Sequence, residues 1–281
     1  MDTTPAPTFR GKYGPWAVVA GASAGLGAEF ARQLAASGLH LVLVARRAPE
    51  LEALATTLRQ TYRVETQTIA LDLAAEDAAE TLDHLTSDKD VGLLVYNATN
   101  APVGPFLELS LDEHMRELAV NVRAPMTLAW RFGQRFAARK RGGIILMSSM
   151  SATMGSALVS NYAATKAFTL VLAEGLWEEL RERGVDVLAV QAAVISAPSP
   201  ATGGAASGAT ERNAASATST TPEVVAREAL AGLGRGPAVV PGAGVKLAAF
   251  FMRRVLPRAS AIRMMGRVMR QMYGADDAAS R

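Results

Sequence analysis

Residues 16–27 read WAVVAGASAGLG, and this stretch decides the fold. Residues 16–20 form an apolar, β-branched run that is typical of a buried strand, and the pattern over residues 25–37 predicts a helix. A glycine-rich turn therefore joins a strand to a helix. Glycine permits a sharp turn and a close approach of the backbone to phosphate, and the helix N-terminus offers free N–H groups. The stretch indicates a dinucleotide-binding unit, although turns of similar composition also occur without that function. The turn residues expected to contact a cofactor are Gly21, Ser23, Ala24, Gly25, Leu26 and Gly27.

Outward from this turn, strand and helix patterns alternate along the chain. Strands are predicted over residues 16–20, 39–45, 64–71, 91–97, 143–149, 185–191 and 238–240. Helices are predicted over residues 25–37, 49–62, 75–87, 111–139, 160–183 and 222–235. Strands separated by helices of ten or more residues imply βαβ crossovers. The predicted fold is α/β, a single Rossmann-type doubly wound parallel sheet with a C-terminal helical extension.

Composition and local sequence divide the chain into segments. The 281 residues are 49% hydrophobic, enough for one large core, and contain no cysteine, which excludes thiol chemistry and cysteine metal sites. Residues 1–15 are interpreted as an N-terminal arm without a signal-peptide core. Residues 16–244 form the predicted catalytic domain. Within it, residues 196–221 are nearly all Ala, Ser, Thr, Gly and Pro, and this segment is either a plain loop or a mobile lid over a cleft.

The end of the second predicted strand bears on cofactor choice. An acidic residue at this position binds the ribose hydroxyl of NAD, but the chain has Arg46 and Arg47 there. A guanidinium suits the additional 2′-phosphate of NADP, so we predict NADP(H), with Arg46 as the main contact. The alternative is a pair of solvated arginines at a helix start.

Tyr162 and Lys166 lie four residues apart in a helical pattern, so they share one helix face. A neighbouring ammonium stabilises phenolate and lowers the pKa of a tyrosine from about 10, which suits proton exchange with an alcohol or carbonyl oxygen. Taken alone, such a pair is more often a simple surface pair on a helix.

Together, the glycine turn and the Tyr–Lys pair resemble the short-chain dehydrogenase/reductase family over residues 16–240. The resemblance implies catalytic roles for Asn121, Ser149, Tyr162 and Lys166. Ser149 would bind the substrate oxygen, Tyr162 would exchange its proton, Lys166 would lower the pKa of Tyr162 and bind the nicotinamide ribose, and Asn121 would hold a relay water. Ser148 competes with Ser149, but its side chain should point to the other face of the strand. Further cofactor contacts implied by the resemblance are Asp72, Leu73, Asn97, Ala98 and Ile195.

The chain departs from the family pattern in two places. Thr99 stands where the family usually has glycine, and Ala192, Ala193 and Ala197 replace the usual proline, glycine and threonine. The implied activity is reversible, NADP(H)-dependent reduction of a ketone or aldehyde to an alcohol without a metal, with a lipophilic substrate favoured. The alternatives are a non-redox cofactor-binding sensor or scaffold, and a cofactor-free halohydrin lyase, against which Lys166 and the glycines argue.

The net charge of +3 conceals an uneven distribution. Residues 245–281 contain eight basic and two acidic residues, a net +6, whereas the rest of the chain has 21 basic and 24 acidic residues, a net −3. The excess is too small to predict nucleic-acid binding. The patterns over residues 245–255 and 259–273 predict two short helices, which pack on the body or a partner subunit, or lie on an anionic membrane surface. We expect a cytoplasmic homo-oligomer, with peripheral membrane contact as the alternative.

Overall fold

A computed structural model describes residues 8–193, 220–247 and 257–273. These residues contain a seven-stranded sheet with the order β3-β2-β1-β4-β5-β6-β7, in which all paired strands are parallel. The strands are β1 (Trp16–Ala20), β2 (His40–Ala45), β3 (Thr66–Ala70), β4 (Val91–Tyr96), β5 (Gly142–Ser149), β6 (Val185–Ala192) and β7 (Ala238–Val239). The order reverses between β1 and β4, and ligands of doubly wound sheets bind in the crevice beyond such a reversal.

Helices cover both faces of the sheet. They are α1 (Phe9–Tyr13), α2 (Gly25–Ala36), α3 (Ala48–Tyr62), α4 (Ala78–Leu85), α5 (Leu111–Leu118), α6 (Ala124–Ala138), α7 (Ser160–Arg181), α8 (Pro222–Gly232) and α9 (Arg258–Tyr273). One apolar cluster joins the sheet to α2, α3 and α8, and a second joins it to α4, α6 and α7. Burial of both faces explains why β1, β2 and β4 are continuous apolar runs instead of alternating ones. The predicted fold class is confirmed.

Two elements differ from the sequence-based expectations. The single helix predicted over residues 111–139 consists of α5 and α6 joined by a π-helical segment, Ala119–Arg123. The expected N-terminal arm contains α1, whose Tyr13 is buried and donates a hydrogen bond of 2.6 Å to Asp186 Oδ2. This five-residue helix is too short and too mixed in composition to be predicted from its sequence, and tertiary packing of Tyr13 stabilises it.

The C-terminal extension has helical residues at 243–247 and in α9. Ala261 is 1% exposed, and a Cβ placed on Gly266 would lie 3.5 Å from the Cβ of Ala157, so α9 packs against the segment that precedes α7. No helix among residues 8–193, 220–247 and 257–273 is long and apolar enough to cross a membrane. The predicted lid, except Thr220 and Thr221, and Ile195 lie outside the described residues.

Candidate active site

The glycine turn brings β1, α2 and the end of β4 into close contact. Gly21 has φ +86°, and a Cβ there would lie 2.6 Å from the backbone nitrogen of Ala98. A Cβ on Gly27 would lie 1.9 Å from the carbonyl oxygen of Gly21. Neither position has room for a side chain, so the N-terminus of α2, capped by Ala24, is held directly against the end of the strand. This is the cradle that a pyrophosphate requires.

A cleft of about 510 Å³ opens beside this turn, at the point where the strand order reverses. Eight of the residues predicted to bind a cofactor line it: Gly21, Ser23, Arg46, Arg47, Asp72, Leu73, Asn97 and Ala98. Asn97 Nδ2 donates a hydrogen bond of 3.1 Å to the carbonyl oxygen of Gly21, which braces the turn from β4. The shape and lining of the cleft fit a dinucleotide.

The two arginines after β2 differ in their partners. Arg47 donates a hydrogen bond of 3.3 Å to Ser23 Oγ and forms an ion pair of 3.2 Å with Glu50. Arg46 makes neither kind of contact with the described residues, and its charge acts on Asp72 across the cleft. Arg46 is therefore the guanidinium available to an additional phosphate.

Both carboxylate oxygens of Asp72 accept hydrogen bonds within the protein. Its Oδ2 accepts a hydrogen bond of 2.8 Å from Arg116, and its Oδ1 accepts one from the backbone nitrogen of Ala74. Burial opposes ionisation of Asp72, but the contacts with Arg116 and Ala74 outweigh it and lower its pKa. Sequence reasoning missed Arg116, which lines the cleft from α5, because nothing in its local sequence links it to β3.

Ser149, Tyr162 and Lys166 meet at the carboxyl end of β5. Ser149 ends the strand, and its hydroxyl influences the ionisation of Tyr162, from the first turn of α7. Lys166 is 4% exposed, and its Nζ lies 5.5 Å from the centroid of the Tyr162 ring. Ser148 is directed elsewhere, since its hydroxyl donates to the carbonyl oxygen of Lys166. The alternation of side chains along β5 thus separates the two serines.

The ionisation of this pair differs from the expectation that Lys166 lowers the pKa of Tyr162. Burial raises the pKa of Tyr162 to about 12, the Ser149 side chain opposes that rise, and Tyr273 and Glu117 add to it. Burial lowers the pKa of Lys166 to about 8. Desolvation disfavours the charged forms of both groups, and it is the largest influence on each pKa. Tyr162 is consequently a protonated phenol at neutral pH.

Asn121 connects the cleft to α7 from within the π-helical segment. Its Oδ1 accepts hydrogen bonds from Thr99 Oγ1 and the backbone nitrogen of Asn100, and its Nδ2 donates to Asn100 O and Thr165 Oγ1. Thr165 Oγ1 in turn donates 2.7 Å to the carbonyl oxygen of Tyr162. The side-chain amide thus makes two hydrogen bonds as acceptor and two as donor, which leaves no hydrogen-bonding position for a water. The water-holding role of Asn121 stays a prediction.

This network gives a physical reason for one of the departures from the family pattern. Thr99, which replaces a glycine, uses its hydroxyl to bind Asn121 at 3.3 Å. Ala192 is the last residue of β6 and is buried, and Ala193 follows it as a half-buried residue. These two positions therefore present only methyl side chains at the carboxyl end of β6, where Ala192 is in register with Ser149.

A buried polar group that the sequence analysis did not identify lies beside the catalytic pair. Glu117, on α5, is 1% exposed, and its Oε2 accepts a hydrogen bond of 2.7 Å from Asn161 Nδ2. Its other oxygen has no hydrogen-bond partner among the described residues. Glu117 lies four residues before Asn121, and this spacing could have predicted from the sequence that the two side chains share a helix face.

The C-terminal helix also reaches this region. Tyr273, the last residue of α9, is half-buried and acts electrostatically on Tyr162. The packing of α9 against the segment before α7 and its electrostatic effect on Tyr162 agree with the expectation that this helix packs on the body. The membrane alternative stays a hypothesis.

The fold and site define a dinucleotide-dependent oxidoreductase. Residues 15–205 match the family described as short chain dehydrogenase. The chain belongs to the short-chain dehydrogenase/reductase family.

Several characterised proteins are similar over most of their length. A 7beta-hydroxysteroid dehydrogenase of Mediterraneibacter gnavus is 31% identical over 235 residues, which cover 84% of this chain and 89% of the relative. A solved structure from work on 7beta-hydroxysteroid dehydrogenase stereoselectivity is 31% identical, with a TM-score of 0.84 over 92% of this chain and 99% of that one. A short-chain dehydrogenase from Sphingobium yanoikuyae, solved in complex with NADPH, is 29% identical, with a TM-score of 0.72 over 84% of this chain and 91% of that one.

Proposed function

We propose that this protein is an NADP(H)-dependent oxidoreductase that interconverts a bulky, lipophilic ketone and the corresponding alcohol. The observation that carries the proposal is the convergence of Ser149, Tyr162 and buried Lys166 at the sheet edge that also holds the glycine turn. A phenol, a hydroxyl and an ammonium in this arrangement suit polarisation of a carbonyl and delivery of a proton to its oxygen.

In the reduction, the bound nicotinamide supplies the hydride, which the protein's own side chains cannot provide. Ser149 donates a hydrogen bond to the carbonyl oxygen and fixes its position. As the carbonyl carbon gains hydride, negative charge develops on the oxygen, and Tyr162 transfers its phenolic proton there to give the alcohol. The phenolate left on Tyr162 is stabilised by Lys166. The high pKa of Tyr162 keeps the proton in place for this step at neutral pH.

The cofactor preference rests on Arg46. The cleft has no acidic residue after β2, and Arg46 lacks the ion pair that occupies Arg47. A guanidinium is suited to a phosphate through paired hydrogen bonds. The NADPH complex of the Sphingobium relative supports the same choice.

The substrate class is supported by the relatives and by the lining of the site. The relatives include 7beta-hydroxysteroid dehydrogenases, whose name gives a hydroxysteroid as the substrate. In this chain Ala192, which is in register with Ser149, and Ala193 have only methyl side chains, and Tyr273 of α9 acts electrostatically on Tyr162. We therefore favour a fused-ring or similarly bulky ketone.

Two measurements on the purified protein test the proposal. Fluorescence titration with NADPH and NADH should show tighter binding of NADPH. Absorbance assays with a panel of small, linear and fused-ring ketones should then show oxidation of NADPH that is fastest with the bulky compounds. Binding of NADPH without oxidation by any carbonyl would instead favour a non-redox sensor or scaffold, and an absence of binding would exclude both.

A further inference from the structure

The carboxyl group of Glu117 has no role in the proposed reaction. It is buried beside the two catalytic groups of α7, and its only hydrogen-bond partner among residues 8–193, 220–247 and 257–273 is Asn161, the residue before Tyr162. A buried carboxyl group with one oxygen unpaired is costly to keep, so its presence calls for a reason.

We propose that Glu117 is a positioning residue of this enzyme: its hydrogen bond to Asn161 fixes the first turn of α7, and its buried carboxylate places a negative charge beside that turn. This inference rests on the proposed function. The geometry of the Asn161 contact carries the proposal, because it ties the carboxylate to the residue before Tyr162. The electrostatic action of Glu117 on Tyr162 and Lys166 supports it.

The mechanical part follows from the position of Asn161. Tyr162 is the third residue of α7, in the first turn, where backbone N–H groups lack helical partners and the chain is prone to fraying. The 2.7 Å bond from Asn161 to Glu117 and a weaker one of 3.4 Å to the carbonyl oxygen of His114 fasten this turn to α5. The backbone at Tyr162 is therefore fastened to α5 through the preceding residue, by contacts that do not involve substrate or cofactor.

The electrostatic part follows from the groups around Glu117. They are His114 on its own helix, and Tyr162 and Lys166 on α7, with Tyr273 of α9 next to Tyr162. A carboxylate at this place raises the pKa of Tyr162 and opposes the lowering of the pKa of Lys166. Burial raises the pKa of Glu117 itself, against the effects of Asn161, His114 and Lys166. The ionised carboxylate therefore favours a protonated phenol and a protonated amine, which is the state that the reduction requires.

Substitutions of Glu117 and Asn161 separate the two parts. Glu117→Gln keeps an acceptor for Asn161 and removes the charge, whereas Asn161→Ala removes the bond and keeps the charge. The ionisation of Tyr162 is followed by the ultraviolet absorbance of tyrosinate, with Tyr162→Phe as the blank, and does not depend on turnover. We expect Glu117→Gln to move the midpoint of this titration to lower pH by about half a unit or more, because a like charge next to the phenolate is lost. Asn161→Ala should not lower the midpoint of the Tyr162 titration. It should reduce kcat on the order of tenfold, because the phenol is misplaced.

The outcomes are distinct. A wild-type midpoint in Glu117→Gln would overturn the electrostatic part, and wild-type kcat in Asn161→Ala would overturn the mechanical part. If Glu117→Gln fails to fold, Glu117→Met replaces it in the titration; it removes the buried charge together with the bond to Asn161, and Asn161→Ala, which removes the bond alone, then separates the two effects. A wild-type protein that turns over no carbonyl would refute the proposed function, while the titration would still report on Glu117.

Discussion

Lys166 donates a hydrogen bond of 2.9 Å from Nζ to the carbonyl oxygen of Met147, inside β5. This bond ties α7 to the sheet. The same ammonium lies 5.5 Å from the centroid of the Tyr162 ring. This single contact combines a structural tie with the placement of a positive charge next to a phenol. It also buries an ammonium, with consequences for both stability and pH dependence.

Tyr162→Phe should remove the proton donor and leave the cofactor cleft intact, because Tyr162 is absent from the lining of that cleft. Loss of a positioned general acid reduces turnover by about 10²–10⁴-fold. The expected result is a loss of kcat of this size with an NADPH dissociation constant close to that of wild type, measured by fluorescence titration. Near wild-type kcat would refute the assignment of Tyr162.

The two reaction directions should differ in their dependence on pH. Reduction requires a protonated phenol, and a pKa of about 12 keeps Tyr162 protonated throughout the neutral range. Alcohol oxidation requires the phenolate, whose population grows about tenfold per pH unit below that pKa. Initial rates should therefore vary little with pH for reduction and rise steadily from pH 7 to pH 10 for oxidation. An oxidation rate that is level over this range would contradict the high pKa.

Lys166→Met should stabilise the protein while it impairs catalysis. The pKa of Lys166 is lowered from 10.5 to about 8, so the folded state disfavours the charged amine. The wild type is thus least stable below about pH 8 and gains stability as the pH rises from 8 to 10.5. The advantage of the variant, at most about 3 kcal/mol near neutrality, should vanish above pH 10.5. Urea unfolding at several pH values measures it, and a constant difference across pH would contradict burial as the cause.

Arg46→Ala should weaken NADPH binding and spare NADH. A hydrogen bond to a charged group contributes about 1.5–3 kcal/mol, which corresponds to a 10–100-fold increase in the NADPH dissociation constant. Arg47→Ala is the matched control, because Arg47 is occupied by Ser23 and Glu50 and should have a smaller effect. Equal losses for both cofactors in Arg46→Ala would show that Arg46 does not recognise the 2′-phosphate.

Gly266→Leu tests the contact of α9 with the body. The Cβ itself would sit at van der Waals distance from Ala157, but a longer side chain has to displace the helix. We expect a several-fold higher KM for bulky ketones and an unchanged NADPH dissociation constant, since Gly266 is outside the cofactor cleft. An unchanged KM for every ketone would show that α9 does not contribute to substrate binding. If the wild type and Gly266→Leu then bound equally well to anionic liposomes, a membrane role for the arginines of α9 would be favoured.

The self-association expected from the sequence stays a prediction. Four large apolar side chains on α6 and α7 are exposed in the described structure: Met126, Trp130, Phe168 and Val171. A second copy of the chain covering them would remove this apolar surface from water.

Local sequence determined much of this protein. The period of the apolar residues predicted the strands and most helices within a few residues, because buried parallel strands and amphipathic helices have different repeats. The glycines after β1 predicted the cleft, since only glycine fits where Gly21 touches Ala98 and Gly27 touches Gly21. The i, i+4 spacing placed Tyr162 and Lys166 on one helix face.

Tertiary structure decided what depends on residues far apart in the chain. Packing between separate elements produces three interactions of the site: Arg116 with Asp72, Glu117 with Asn161, and Tyr273 with Tyr162. The pKa of Tyr162 is the clearest case. Spacing along the helix predicted a lowered value from the neighbouring ammonium, but the burial of both groups, which spacing does not encode, raises it. Desolvation is a property of everything packed around a group, and it is therefore set by the folded chain and not by the local sequence.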